Sequence, residues 1–359
     1  MGGWIGRIVG ACTLGVVLGC ASASASESER GWAFLIEKLT RDGVPRDQVL
    51  RVFRDERCDP FDGLHFSLHP REPQSLYRNL RTRATAGRAR NCLAKHREAF
   101  DAAEAQYGVS SNVVASIIQI ESGCGANTGR ARIVPALARL AMASEPSNVA
   151  ENVRRLALFD TEGSVASFAR WRAQALEDMF YPEVKAAFDI ANRLGLDPLE
   201  MRGSGSGAFG IPQFLPRSYL WFAVDGNQDG QVSLYDAEDA IPSCARYLQH
   251  YGWKPGLSRT ERKNVIWGYN HSDAYIDTVL WVASEVVSPT PEPPQRTRVA
   301  KRRRSRRPAP HTVSAKPTRA TKAHAKSKSA GGKKSPSATK APAGKTASAK
   351  TTTKQTKQP

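Results

Sequence analysis

One carboxylate in this chain continues an apolar helix stripe. In residues 110–125, SSNVVASIIQIESGCG, Val113, Val114, Ile117 and Ile118 recur at the three- and four-residue spacing of a buried helix face. Glu121 follows Ile117 by four and Ile118 by three, so it points the same way. A charged side chain there must be paired, or it must hold its proton. Burial raises a carboxyl pKa, and an acid still protonated near neutrality can serve as a general acid. Gly123 and Gly125 then end the helix and leave open backbone beside the carboxyl. A helix-terminal glutamate turned to solvent is the plainer reading of the same residues.

Three other groupings could do chemistry. Residues 203–214, GSGSGAFGIPQF, let backbone approach a ligand closely, and Ser204 and Gln213 could bond a polar, uncharged ligand such as a sugar. No GK[ST] follows and no strand precedes, so this is not a phosphate loop. Residues 225–236, DGNQDGQVSLYD, match a calcium loop at positions 1, 3 and 5, with Gly at 6. Asp225, Asn227 and Asp229 would bind the ion with the Gln231 carbonyl. Position 12 is Asp236, whose arm is shorter than that of Glu, and Asp239 could close the site instead. The expected role is structural and the affinity modest; the plainer reading is an Asp/Gly turn without metal. Finally, Trp267-Gly268-Tyr269-Asn270, with Tyr247, supplies aromatic and amide groups suited to stacking on sugar rings, or to core packing.

These residues need helices to position them. Apolar periodicity predicts helices over 32–39, 46–53, 91–107, 112–121, 149–159, 165–180, 182–194, 237–251, 259–269 and 274–287. Strand alternation is scarce, with a short bridge expected at 232–234, and residues 59–73 and 202–216 read as exposed loops. The fold class is therefore mainly α over a body of residues 27–287.

The ends differ from the body. Residues 1–25 read as a secretion signal: Arg7, an apolar stretch from Ile8 to Leu18, and small-residue cleavage sites at Ala21-Ser22-Ala23 and Ala23-Ser24-Ala25. Cys20 offers a lipoprotein signal as the alternative, so a periplasmic or secreted protein is expected, with an outer-membrane lipoprotein beside it. No other stretch is apolar enough to cross a membrane. Residues 288–359 carry 20 of the chain's 52 Lys and Arg and one of its 34 acids, leaving 32 basic and 33 acidic residues in the rest. This tail lacks aromatics and any period, so it is expected to be disordered. After export its basic run 301–307 would meet acidic envelope polymers rather than nucleic acid; a purely solubilising tail is the alternative.

Export also bears on the cysteines. Cys58, Cys92, Cys124 and Cys244 would remain, and four cysteines in an oxidising compartment suggest two disulfides with three possible connectivities. The expected pairs are Cys58–Cys92, near the start of the body, and Cys124–Cys244, from the Glu121 helix to the helix carrying Tyr247. No spacing suggests zinc.

Taken in order, these motifs resemble the lytic murein transglycosylase B family of lysozyme-like enzymes that cut peptidoglycan strands. The resemblance rests on Tyr107-Gly108-Val109 leading to Glu121-Ser122; Gly125 and Gly129 before Ala136-Leu137; Asp197-Pro198 through Gly203-Ser204; residues 207–214 with Pro216 and Ser218-Tyr219; the calcium loop; and Ala240-Ile241 through Tyr247 to Gly252-Trp253. It implies a lysozyme-like helical catalytic domain with extra helices and an EF-hand-like calcium loop. It implies Glu121 as the single catalytic carboxyl, with Ser204, Gln213, Tyr247, Tyr269 and Asn270 lining the sugar cleft. It implies Ca2+ but no organic cofactor, and a monomer is expected. The implied reaction opens the MurNAc–GlcNAc bond and leaves a 1,6-anhydro end; a hydrolytic muramidase and a non-catalytic peptidoglycan-binding scaffold are the other readings. The chain departs from the pattern at Cys124 and Gly205, where aromatics are usual, at Pro135 and Pro212, and over residues 143–180.

Overall fold

The computed structural model describes residues 29–68, 74–157 and 164–288. The expected signal, residues 69–73 of the first expected loop, residues 158–159 of the helix expected over 149–159, and the expected tail beyond Ser288 lie outside these. Thirteen α-helices are found among the described residues: α1 Ala33–Arg41, α2 Arg46–Arg54, α3 Gln74–Arg78, α4 Arg83–Lys95, α5 Arg97–Tyr107, α6 Ser111–Ser122, α7 Ile133–Ala141, α8 Pro146–Ala157, α9 Val165–Leu194, α10 Pro216–Phe222, α11 Ala237–His250, α12 Arg259–Tyr269 and α13 Asp273–Val287. Two short strands, β1 Ala131–Arg132 and β2 Arg202–Gly203, pair antiparallel.

The Glu121 helix, α6, is the centre of the body. It packs against α4, α13, α5 and α11. Val113, Val114, Ala115, Ser116, Ile117, Ile118 and Gln119 are all buried, so it is enclosed on every side. Its start is held by Glu104, whose Oε2 accepts from the Ser111 amide at 2.9 Å and hydroxyl at 2.6 Å. Its end is a left-handed glycine cap: the Gly123 amide donates to the Gln119 carbonyl, and the Cys124 amide reaches back to the Ile118 carbonyl.

Several expectations change on contact with tertiary structure. The predicted helix over 91–107 is two helices, because His96, with φ −114° and ψ 36°, breaks the run between α4 and α5. Conversely, the two helices predicted either side of Pro182 are one, α9. An interior proline costs about 3 kcal/mol. Here Leu176, Glu177 and Tyr181 before it and Val184, Ala187 and Phe188 after it are all buried, and that shared packing against α7 outweighs the lost bond. The α3, α7 and α10 helices do not follow from the sequence pattern. No strand forms at 232–234; the Leu234 carbonyl instead accepts from the Ile211 amide at 2.7 Å. Residues 202–216 are also not an exposed loop, since Gly203, Gly207, Phe209, Gly210, Ile211, Pro212 and Phe214 are buried.

Around this core, Trp32 packs fully buried between Phe53 and Phe61 and roots α1 and α2. Residues 64–66 run as an extended arm read by side-chain amides: Asn148 Oδ1 accepts from the Leu64 amide at 2.7 Å, and Asn152 Nδ2 donates to the Leu64 carbonyl at 2.8 Å.

The cysteine pairing is corrected. Cys92 on α4 bonds to Cys124, while Cys58 and Cys244 are buried free thiols. Cys58 is committed to the α1–α2 core and Cys244 to the aromatic layer beneath Glu121, whereas α4 lies directly along α6.

Candidate active site

Glu121 ends the buried helix half-exposed, where α6 opens to solvent. Tyr275, buried on α13, donates its hydroxyl to Glu121 Oε1 at 2.6 Å. Burial, then the Glu121 charge and this bond, hold the Tyr275 phenol well above its ordinary range, so it stays a donor. Tyr275 stacks on Tyr269 at 6.5 Å with the planes 7° apart, and Tyr77 meets it edge-on at 5.4 Å. Burial, the Cys244 thiol and the Glu121 charge likewise push Tyr269 well up. Its hydroxyl donates to the Pro212 carbonyl at 2.5 Å, joining α12 to the glycine-rich loop.

The residues expected from sequence fall on two tiers. Gln213, Tyr269 and Asn270 stand in this network. Gln213 sits at φ 52°, uncommon for a residue with a Cβ, and its Nε2 donates to the Thr128 and Gly210 carbonyls at 3.0 and 2.8 Å. Both amide protons are thus used, and its Oε1 is the acceptor left for a ligand. Asn270 caps α12 and donates to the Tyr77 hydroxyl at 3.3 Å. Tyr247 belongs to the layer beneath: it is buried, bonds the Gly268 carbonyl at 2.6 Å and packs on Phe214 and Tyr269. Ser204 shapes its own loop, its Oγ accepting from the Ser206 and Ala208 amides, which leaves its hydroxyl proton to donate.

Close backbone approach holds the two glycine-bearing segments together. A Cβ on Gly129, at φ 90°, would lie 2.1 Å from the Gly203 carbonyl oxygen; one on Gly207 would lie 2.2 Å from Leu137. Only glycine fits either place.

Tyr275 was not singled out from sequence. A signal was present: its hydroxyl lies on the apolar stripe Tyr275, Ile276, Val279 and Leu280, and a buried hydroxyl needs a partner as much as a buried carboxyl does. Cys244 was missed as a neighbour of Glu121. Its thiol is pushed up to about 12, chiefly by burial.

In the loop over 225–236, the side chains turn inward onto backbone amides. Asp225 accepts from Asp229 and Gly230, Asn227 from Asp229, and Asp229 from Gln231. Asp236 caps α11 through the Glu238 amide. Asp239 is buried and clasps the loop, its two oxygens accepting from Gly226 at 2.8 Å and Ser233 at 2.7 Å. Among the described residues no three His, Cys, Asp or Glu side chains converge as a metal group. The oxygen-only donor set, two carboxylates and an amide curled about one turn, suits a hard cation.

Residues 27–262 match the family model described as the transglycosylase SLT domain. Membrane-bound lytic murein transglycosylase B of Escherichia coli (strain K12) is 32% identical over 162 residues, 45% of this chain and 37% of that protein, so the match spans well under half of the curated relative's length. The E. coli lytic transglycosylase Slt35 in complex with calcium superimposes with a TM-score of 0.50 at 22% identity, over 71% of this chain and 92% of that one. Pseudomonas aeruginosa SltB3 in complex with NAG-anhNAM-pentapeptide gives 0.51 at 18% identity, over 73% and 80%. These structures share the lysozyme-like helical fold.

Tyr275→Phe removes the donor to Glu121 Oε1 and leaves the ring packing in place. The expected outcome is a loss of stability of about 0.5–1.5 kcal/mol, the worth of one hydrogen bond, with the fold intact. Urea unfolding of the two proteins checks this; an unchanged midpoint would mean that the bond adds nothing to the packing of α13 on α6.

Proposed function

Because the chain belongs to the transglycosylase SLT domain family, we propose that it is a lytic transglycosylase that cuts peptidoglycan between N-acetylmuramic acid and N-acetylglucosamine, with Glu121 as its acid and base. The observation that carries this reading is the Glu121 carboxyl itself, held by Tyr275 where a buried helix meets solvent, with the Tyr269 phenol near enough to feel its charge. Those neighbours are phenols that hold the carboxyl in place. They do not take the part of the second carboxylate that two-acid glycoside hydrolysis uses.

The chemistry then runs through one carboxyl. Protonated Glu121 gives its proton to the glycosidic oxygen as the bond to the muramoyl C1 breaks, and the glucosamine end leaves as an alcohol. The substrate's acetamido group stabilises the cationic C1. Glu121, now a carboxylate, takes the proton of the muramoyl C6 hydroxyl, whose oxygen bonds to C1 and closes the 1,6-anhydro ring. No water is consumed. The Gln213 carbonyl and the Ser204 hydroxyl offer an acceptor and a donor to the sugars, and Asn270 and Tyr269 hold the wall. The anhydro-muramoyl ligand in the SltB3 complex supports this route.

Calcium is the proposed cofactor, held by Asp225, Asn227, Asp229 and the Gln231 carbonyl, with Asp236 or Asp239 completing the set. It would brace the loop that packs through Leu234 onto Gly210 and take no part in bond breaking. The place of action is the cell envelope, which the apolar stretch and small residues near the N-terminus support. No described helix is long and apolar enough to cross a membrane. The basic tail would add attraction to acidic envelope polymers.

Four outcomes are expected. Glu121→Gln should lower kcat by about 10²–10⁴-fold while sacculus binding persists, since that is what a general acid contributes. Mass spectrometry of wild-type products should show ends lighter by one water; hydrated ends would make the protein a muramidase, and absent turnover would make it a scaffold. Saturating calcium should raise the melting temperature over chelator, as a ligand of the folded state must, and Asp225→Ala with Asp229→Ala should abolish the rise. Deleting residues 288–359 should leave cleavage of soluble strands intact but weaken sacculus binding at low salt, because charge attraction is screened over about 8 Å at physiological salt. Equal binding by both forms would leave the tail as a soluble spacer.

A further inference from the structure

The segment after Glu121 has little structure of its own. Of residues 123–129, Gly123, Cys124, Gly125 and Gly129 lie at left-handed φ values of 63°, 61°, 84° and 90°. Its internal bonds are local: Gly125 to Ser122 Oγ at 2.9 Å, Asn127 to the Ser122 carbonyl at 2.8 Å, and Gly129 to Asn127 Oδ1 at 3.3 Å. What fixes it in space comes from two sides. On one, the glycine-rich loop leans on it through Ile211 at Gly125, Gly203 at Gly129 and the Gln213 amide on the Thr128 carbonyl. On the other, Cys124 is bonded to Cys92 of α4.

That second anchor has a particular reach. The α4 helix packs along both α6, which carries Glu121, and α13, which carries Tyr275. The bond therefore ties the segment to the helix layer that holds the carboxyl and its hydroxyl partner. A cysteine side chain is too small to anchor a left-handed turn by burial as an aromatic there could, and Cys124 is only half-buried. We infer that the Cys92–Cys124 disulfide is a positioning clamp: through the segment after Glu121 it keeps Glu121 and Tyr275 in register with Gln213, so turnover depends on its oxidation. The inference rests on Glu121 being the reacting acid.

The clamp is chemically addressable and unambiguous. Cys92 is buried, so a small dithiol enters at the Cys124 side. Its thiolate attacks one sulfur and releases the other as a thiol. Its second thiol then resolves the mixed disulfide, leaving two protein thiols and a cyclic disulfide of the reagent. Cys58 and Cys244 do not compete: both are buried and pushed up to about 12 by that burial, which keeps them protonated and unreactive.

The test is kcat and KM on soluble glycan strands for the full chain, oxidised and after dithiothreitol, with far-ultraviolet circular dichroism on the same samples. Reduction should lower kcat by about 10–100-fold, the scale of a displacement near 1 Å, with little change in KM and the helical signal retained. Reoxidation with a small disulfide should restore it. Cys92→Ala with Cys124→Ala should match the reduced protein and ignore dithiothreitol. An unchanged kcat on reduction would overturn the clamp, and so would a loss of activity that tracks a loss of helix, since the bond would then be a general brace. Glu121→Gln, assayed oxidised, separates the two ideas. Activity there would sink the acid assignment, whereas an inactive variant beside a wild type indifferent to dithiothreitol would sink the clamp alone.

Discussion

A carboxyl at the end of a fully enclosed helix sets the terms for the rest of this body. The Tyr275 hydroxyl, buried beside it, must find a hydrogen-bond partner, because a buried polar atom left bare costs more than any contact beside it returns. The half-exposed carboxyl meets that need, and the bond helps to fix where α13 lies against α6. The stacked and edge-on rings of Tyr269 and Tyr77 then fill the space around the hydroxyl without opening it to water. Each polar tip in that aromatic layer is spent on a backbone carbonyl or another tip: Tyr269 on Pro212, Tyr247 on Gly268, Asn270 on Tyr77. The layer is thus apolar in bulk yet satisfied at its edges, which makes it a stiff support for one ionisable group.

The second constraint is distance. Residues 203–214 lie against the segment that follows Glu121, and they come that near only because the backbone at Gly129 and Gly203 can touch. The short β1–β2 ladder, in register Ala131 to Gly203, fixes the same contact with main-chain bonds. Beneath it the long helix α9 runs through Pro182 because packing, not local propensity, decides its path. Side-chain chemistry therefore sets the surroundings of Glu121, and backbone proximity sets the approach of residues 203–214.

Much of this was legible in sequence, and the failures have physical causes. The i, i+3, i+4 apolar stripe placed α6 to within a residue at each end, and the glycines after it marked its stop. The α12 helix, with its Ser258 and Glu261 capping box, was read to the residue. Glu121 stood out because charge on an apolar stripe is locally visible. Tyr275 did not, because an aromatic on such a stripe looks like ordinary core until its hydroxyl partner is known. Residues 202–216 looked like an exposed loop because glycine and serine content reports backbone freedom and says nothing of burial. The α7 helix was lost because Pro135 reads as a breaker, although a proline in the first turn is tolerated. Disulfide pairing is a property of three-dimensional proximity, and no spacing along the chain encodes that α4 lies beside α6.

The bond from Tyr275 to Glu121 also spans 154 positions of chain. A polypeptide emerges from its amino end, whether at a ribosome or through a translocation pore. The acid therefore appears long before the hydroxyl that is to hold it, and the Cys92–Cys124 pair, only 32 positions apart, can close in between. Until the last helix of the body has emerged, the carboxyl lacks its partner and the aromatic layer lacks a face. A chain still being threaded thus holds Glu121 without Tyr275, and the pair can form only after the final helix has docked.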